Sequence, residues 1–173
     1  PLTSSAASDV YKRQGGSSSR EGLRRMGFAL QQAGFLVLRL NLRGADPGRH
    51  LAGGTYAARC NTDLLPVIAR ARELAAGRPL LGAGISLGGT MLLNACLTGP
   101  GVLDGLFCAS SPLDLAACSA SIERPRNRVY QRWLLQRLVR QTLADPFGVS
   151  ELEETSLTGS STPRTILDFD SAV

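Results

Sequence analysis

The chain has 173 residues, 43% of them apolar and 19% charged, with a formal net charge of +5. That length suits one domain or part of a larger one, and the composition suits an ordinary soluble globular core. No uninterrupted apolar run approaches the roughly 20 residues of a transmembrane helix, and no charged-apolar-small signal peptide opens the chain, so the cytoplasm is the expected compartment.

The basic excess is arginine, and no RNA- or DNA-binding signature accompanies it, so no nucleic-acid partner is expected. Cys60, Cys96, Cys108 and Cys118 show no C-x-x-C spacing, and Cys96 and Cys108 fall in apolar runs. They read as small buried hydrophobes, neither disulfide nor metal ligands, and no cofactor is expected.

Residues 1–14 are rich in Ser and Ala, carry no periodicity and contain Lys12, the sole lysine. Their tail, Ala7-Ser8-Asp9-Val10-Tyr11-Lys12-Arg13-Gln14, resembles translated sequencing-linker sequence, and the segment reads as a non-native leader or a disordered N-terminus. It is a poor candidate for a central strand. Ser8 to Gln14, which would fill that place, offers only Val10 and Tyr11 as apolar residues and would carry Asp9, Lys12 and Arg13 inward with them.

From Gly15 the pattern is regular. Gly15 to Ser19 is a loop, and Ser19 is placed to cap a helix over 20–33 whose buried stripe is Leu23, Met26, Leu30 and Ala33. Gly34 ends that helix. Phe35-Leu36-Val37-Leu38-Arg39-Leu40 is nearly continuous apolar, as expected for a parallel strand buried on both faces. A long glycine-rich loop from Asn41 to Gly54 lies at its carboxyl end, the edge where open α/β sheets bind ligands.

A helix is expected from about 62 to Ala76, with Pro66 in its first turn and Leu64, Leu65, Ile68, Ala71, Leu74 and Ala75 on its apolar face. A strand around 80–85 follows, then a helix through Thr90 to Leu97, the stop Gly99-Pro100-Gly101, and a second buried strand over 105–109. The alternation of strand and helix argues for an α/β doubly wound parallel sheet.

The stretch that organises the chain is Gly84-Ile85-Ser86-Leu87-Gly88-Gly89. Strand, sharp turn and helix with a G-x-S-x-G at the apex reads as the nucleophile elbow of an α/β-hydrolase. The turn strains the serine backbone and pushes its hydroxyl above the sheet, and Gly84 and Gly88 are expected to lack side chains so that strand and helix can approach. The N–H of Leu87 falls at a helix N-terminus, where partial positive charge meets a developing oxyanion. Ser86 and Leu87 are therefore the candidate catalytic groups. The competing account is a glycine-rich turn in which Ser86 only caps the helix.

Beyond Ser110-Ser111-Pro112 the alternation ends. Leu113 to Ile122 is helix-like. Asn127 to Leu143 is amphipathic, with Val129, Tyr130, Trp133, Leu134 and Leu138 on one side and Arg128, Arg132, Arg137 and Arg140 elsewhere. Glu151 to Thr155 and Thr165 to Val173 are shorter helical candidates. A helical insertion here is where a lid over the active site is expected, giving a partial hydrolase core over 15–112 and a lid segment over 113–173. The arginine-rich helix can alternatively meet an anionic membrane surface, though a solvated face is its ordinary use.

Several pieces together resemble one family, the YheT-like (embryogenesis-associated) α/β-hydrolases. They are Gly16-Ser17-Ser18, Asn41-Leu42-Arg43-Gly44, the helix start Asp63-Leu64, Gly84 to Gly89, Ser111-Pro112-Leu113-Asp114-Leu115-Ala116-Ala117, and Arg164 to Val173 with its Asp-Phe-Asp. The resemblance covers about 15–173. It implies an α/β-hydrolase with a Ser-Asp-His triad and esterase activity on acyl esters, of which Ser86 and the Leu87 N–H carry over by motif. Two features depart from the family. Lys12-Arg13-Gln14 stand where it has a His-Gly-Leu-type loop with a second oxyanion donor, and Tyr56-Ala57 stands where it tends to have Tyr-His.

In this fold the triad runs Ser, then Asp or Glu, then His. The sole histidine, His50, lies upstream of Ser86 in a loop, and without an imidazole in reach a serine hydroxyl stays weakly nucleophilic. The acid and histidine are expected beyond Val173, so that the chain reads as a hydrolase fragment lacking the base. Asp114 is an alternative acid but better suited to capping the next helix. The expected partner is a small-molecule or lipid ester. The alternatives are a non-catalytic α/β binding module and a membrane-surface protein.

Overall fold

A computed structural model describes residues 17–159 and 162–173. Its elements are α1 (Glu21–Gln32), α2 (Asn61–Ala75), β1 (Leu81–Ile85), α3 (Leu87–Cys96), β2 (Gly105–Ala109), α4 (Leu115–Ile122), α5 (Arg128–Leu143), α6 (Glu151–Thr158) and α7 (Ile166–Ala172), with 3-10 turns at Arg49–Leu51 and Pro125–Asn127. The expected leader over residues 1–14 lies outside the described residues. The chain divides into two compact units, one over Tyr56–Tyr130 and one joining the residues up to Thr55 with Gln131–Val173.

In the Tyr56–Tyr130 unit, β1 and β2 pair in parallel from Leu81↔Gly105 to Ile85↔Ala109. Both strands fall where the apolar runs put them. Helix α3 packs on both strands and α2 packs on α3. Leu64, Ile68 and Ala75 of α2 and Met91 and Ala95 of α3 are buried there. The two faces of the ladder differ: Gly84 and Cys108 lie on the side that α3 covers, while Leu81, Ile85 and Phe107 are exposed on the other. The expected buried strands are thus covered on one face, because side chains alternate along a strand and, among the described residues, helices pack on one side of the ladder.

Two further details of this unit depart from the sequence. Pro66 sits inside α2 rather than in its first turn, so the helix forgoes the hydrogen bond that its N–H would make. At the start of the ladder, the Arg72 guanidinium pairs with the Asp104 carboxylate, which also accepts from the Leu80 N–H at 2.6 Å. The Asp104 N–H donates to the Leu80 carbonyl at 2.9 Å. One aspartate thus joins α2 to the residues that lead into both strands.

In the other unit, the run 35–40 is not a strand. A strand is a ladder, and none of the described residues offers it a neighbour. Phe35, Leu36 and Leu38 are exposed rather than buried on both faces. The run does lie against α1, where a Cβ added at Gly27 would come 3.3 Å from Arg39 Cδ and 3.6 Å from Val37 Cγ1. Leu23, Met26 and Leu30 are half-buried as their spacing predicts, but Ala33 is exposed. Ser19 does not cap α1. Its hydroxyl shares a 2.6 Å hydrogen bond with Ser17, and the N-cap residue is Arg20, with no side-chain bond.

Helices α5, α6 and α7 build a second core around Leu135, Leu157 and Phe169, with Leu138, Val139, Leu143 and Ile166 packed against it. The expected buried face of α5 is found in part: Leu138 packs into this core and Trp133 and Leu134 are half-buried. Val129 is 85% exposed, and Gln131, Leu135 and Thr142 turn inward. Helices α6 and α7 each open with a capping box, Ser150 with Glu153 and Thr165 with Asp168. The loop after Asn41 is tied down by Arg49, which is buried and donates to the carbonyls of Gly44 (2.7 Å), Ala144 (3.1 Å) and Gln141.

Candidate active site

Ser86 stands between β1 and α3 with φ +53° and ψ −134°. A non-glycine residue at positive φ is uncommon and costs about 1–3 kcal/mol, so it persists only where its surroundings hold it. Three contacts do so. The Ser86 N–H donates to the Ala109 carbonyl at 2.8 Å, extending the ladder by one bond. The Gly89 N–H donates to the Ser86 carbonyl at 2.9 Å, closing the first turn of α3. Below the turn, a Cβ added at Gly84 would come 2.6 Å from the Gly89 nitrogen and 2.8 Å from the Gly88 carbonyl carbon.

The glycine requirement differs from the sequence expectation in one respect. Gly84 must lack a side chain, but Gly88 points into open space, with nothing within 4 Å of an added Cβ. The second essential glycine is Gly89, whose Cβ would fall onto the Ser111 hydroxyl, 3.0 Å from Ser111 Cβ and 3.2 Å from Cys108 Sγ. The motif's last glycine thus faces away, and the next residue carries the close approach.

Ser86 is exposed and makes no side-chain cap hydrogen bond, so its hydroxyl is not used as a helix cap. Leu87 is the first residue of α3, where a backbone N–H has no intrahelical acceptor. The strand beside it ends in the same way. Ser110 follows β2 directly, is exposed, and has φ +52°. Thr90 Oγ1 donates to the Pro112 carbonyl at 2.7 Å and fixes the turn that follows. The Ser111 hydroxyl is buried against Gly89 with no hydrogen-bond partner. Two adjacent parallel strands therefore finish, at the same level, on serines at positive φ. Nothing in the composition of Ser110-Ser111-Pro112 signals this, since serine rarely adopts it.

The other candidates are placed differently. Asp114 caps α4, accepting from the Ala117 N–H at 2.9 Å, as its position before a helix predicts. His50 is exposed in the 3-10 turn Arg49–Leu51 of the other unit. All four cysteines are free thiols. Burial pushes the Cys60 thiol up, with the Asp63 charge adding, and burial also raises Cys96, beside Cys108. Among the described residues no cluster of His, Cys, Asp and Glu is arranged to hold a metal ion, and no helix is long and apolar enough to cross a membrane.

No family model matches the chain, and no solved structure matches it. Three curated proteins do. Phospholipase ABHD3 of Mus musculus is 32% identical over 130 residues, covering 69% of this chain and 28% of its own length. Phospholipase ABHD3 of Bos taurus is 32% identical over 122 residues, with shares of 69% and 28%, and that of Homo sapiens is 32% identical over 130 residues, with shares of 69% and 29%. The chain thus spans less than a third of the length of the curated relatives it matches. This likeness to α/β-hydrolase domain-containing phospholipases supports the α/β-hydrolase family for the chain, and it does not extend to the narrower YheT-like family.

Proposed function

We propose that this chain is the nucleophile-bearing part of a serine hydrolase acting on carboxylic esters, with Ser86 as nucleophile and the Leu87 N–H as one oxyanion donor. The observation that carries the reading is the backbone of Ser86, strained to positive φ between β1 and α3 with its side chain exposed and no cap bond to make. Strain of this kind is maintained where geometry serves chemistry. The Ser86 hydroxyl attacks the ester carbonyl while a base takes its proton, and the carbonyl oxygen becomes an oxyanion facing the Leu87 N–H at the positive end of α3. Collapse expels the alcohol, which takes the proton back from the base, and leaves an acyl-Ser86 ester, which water then hydrolyses through a second oxyanion at the same place.

The base is an imidazole in this reading. No histidine follows Ser86 in the sequence. Because the chain spans 28% of the mouse relative, we assign the acid and histidine to residues outside these 173. The relatives are phospholipases by name, so the substrate class we assign is a lipid ester. Within the α/β-hydrolases we place the chain with the YheT-like members, on Asn41-Leu42-Arg43-Gly44 and Ser111-Pro112-Leu113-Asp114 together with the elbow.

Turnover of short acyl p-nitrophenyl esters and of phosphatidylcholine tests this. The full-length protein turns over at least one of them and loses the activity on Ser86→Ala, by several orders of magnitude. The 173-residue chain shows no turnover above its own Ser86→Ala variant. An inactive full-length protein would favour a non-catalytic binding module instead. Ser86-dependent turnover by the 173-residue chain would overturn the assignment of the base to residues outside it.

A further inference from the structure

The two strained serines end neighbouring strands, and only Ser86 has a role in the proposed chemistry. Ser110 shares the positive φ without a place in that chemistry. It is not glycine, it is exposed, and its φ of +52° matches that of Ser86 to within a degree. The register makes them companions: Ile85 pairs with Ala109, and the Ser86 N–H reaches the Ala109 carbonyl, so each serine is the first residue past the ladder. Adjacent strands are about 4.8 Å apart, which sets the spacing at which the two turns leave the sheet. Both leave at the carboxyl edge, where α/β sheets bind their ligands.

The turn at Ser110 is also held from beneath on both following residues. Ser111 is wedged against Gly89, at the cost of an unpartnered buried hydroxyl, and Pro112 accepts the Thr90 hydroxyl at 2.7 Å. A turn with an unpartnered buried hydroxyl and a serine at positive φ is over-determined by its supports, and such strain gathers at ligand-binding positions. A serine there offers one donor and two acceptor lone pairs.

We infer that Ser110 is a substrate-contacting residue of the Ser86 site, its hydroxyl donating a hydrogen bond to an oxygen of the ester group bound there. The inference rests on the reading of Ser86 as nucleophile. Its consequence is for binding of the ester before attack, and the hydrogen bond is one neutral pair, so its loss is worth a modest factor in affinity.

The test uses the full-length protein and p-nitrophenyl butyrate. Ser110→Ala removes the hydroxyl and keeps the Cβ, and Ser110→Gly removes it and also relieves the positive φ. Both variants raise KM about three- to tenfold. In both, kcat and the rate at which a fluorophosphonate labels Ser86 stay within about twofold of wild type. Ser110→Gly is also the more thermally stable of the two, which separates the backbone effect from the hydroxyl effect. A KM within twofold of wild type in both variants, with Ser86→Ala inactive, overturns the inference and leaves the nucleophile standing. A fluorophosphonate rate that falls as far as kcat/KM also overturns it, since Ser110 then acts by shaping the elbow. Turnover that survives Ser86→Ala removes the nucleophile and this inference together.

Discussion

Gly84 and Gly89 meet backbone to backbone beneath Ser86. A side chain at Gly84 would intrude to 2.6 Å from the Gly89 nitrogen, so the end of β1 and the first turn of α3 touch with nothing between them. The bend that lifts Ser86 out of the ladder depends on this contact. It also divides the three glycines of the motif into two that are indispensable and one that is not.

Gly84→Ala is expected to destabilise the full-length protein by about 3 kcal/mol, because the obstructing atoms are backbone and cannot rotate away. Gly88→Ala should instead stabilise by up to about 1 kcal/mol, since its Cβ meets nothing within 4 Å and alanine is the better helix former. Urea unfolding of the two variants measures both, and equal losses would show that the elbow is not built this way.

Arg49 is expected to be irreplaceable for a geometric reason. Its buried guanidinium serves three carbonyls, those of Gly44, Gln141 and Ala144, the last two at the carboxyl end of α5. Arg49→Met leaves those oxygens without their charged donor and should cost about 3 kcal/mol. Arg49→Lys should recover less than half of that, because an ammonium cannot reproduce a planar fork. Denaturant midpoints of the two variants against wild type check the ordering.

Much of the architecture was legible along the chain, and what was not has a common cause. Alternation and the glycines around Ser86 located β1, α3 and β2, because those signals are local. Asp114 announced itself as a cap by preceding an apolar helix. The buried face of α5 was placed only in part, because Leu157 and Phe169, distant in sequence, also draw Leu135 inward while Val129 stays exposed. The 35–40 run has strand composition, yet a ladder needs a neighbour and the described residues supply none. The close contact of Gly89 and the strained backbone of Ser110 depend on Ser111 and Thr90 folding against them, which no window of sequence contains.

Asp104 should make stability depend on acid. The Arg72 hydrogen bond, and then the Leu80 N–H, hold its carboxyl below the usual carboxylate range. A lowered folded-state value stabilises above the ordinary aspartate pKa of about 3.9, and that contribution is lost as pH falls through the lowered value. Asp104→Asn should therefore lower Tm at neutral pH, and the gap to wild type should close as the pH is brought from about 5 to below 3. A gap that stays constant over that window would show that the ionised carboxylate is not what joins α2 to the strands.

The nucleophile is tested most directly by mapping where a fluorophosphonate probe attaches to the full-length protein, using peptide mass spectrometry. The expected result is a single stoichiometric adduct on Ser86, abolished by Ser86→Ala and slowed strongly when the protein is reduced to these 173 residues. An adduct on another residue, or no adduct on a protein that still hydrolyses esters, would contradict the assignment of Ser86.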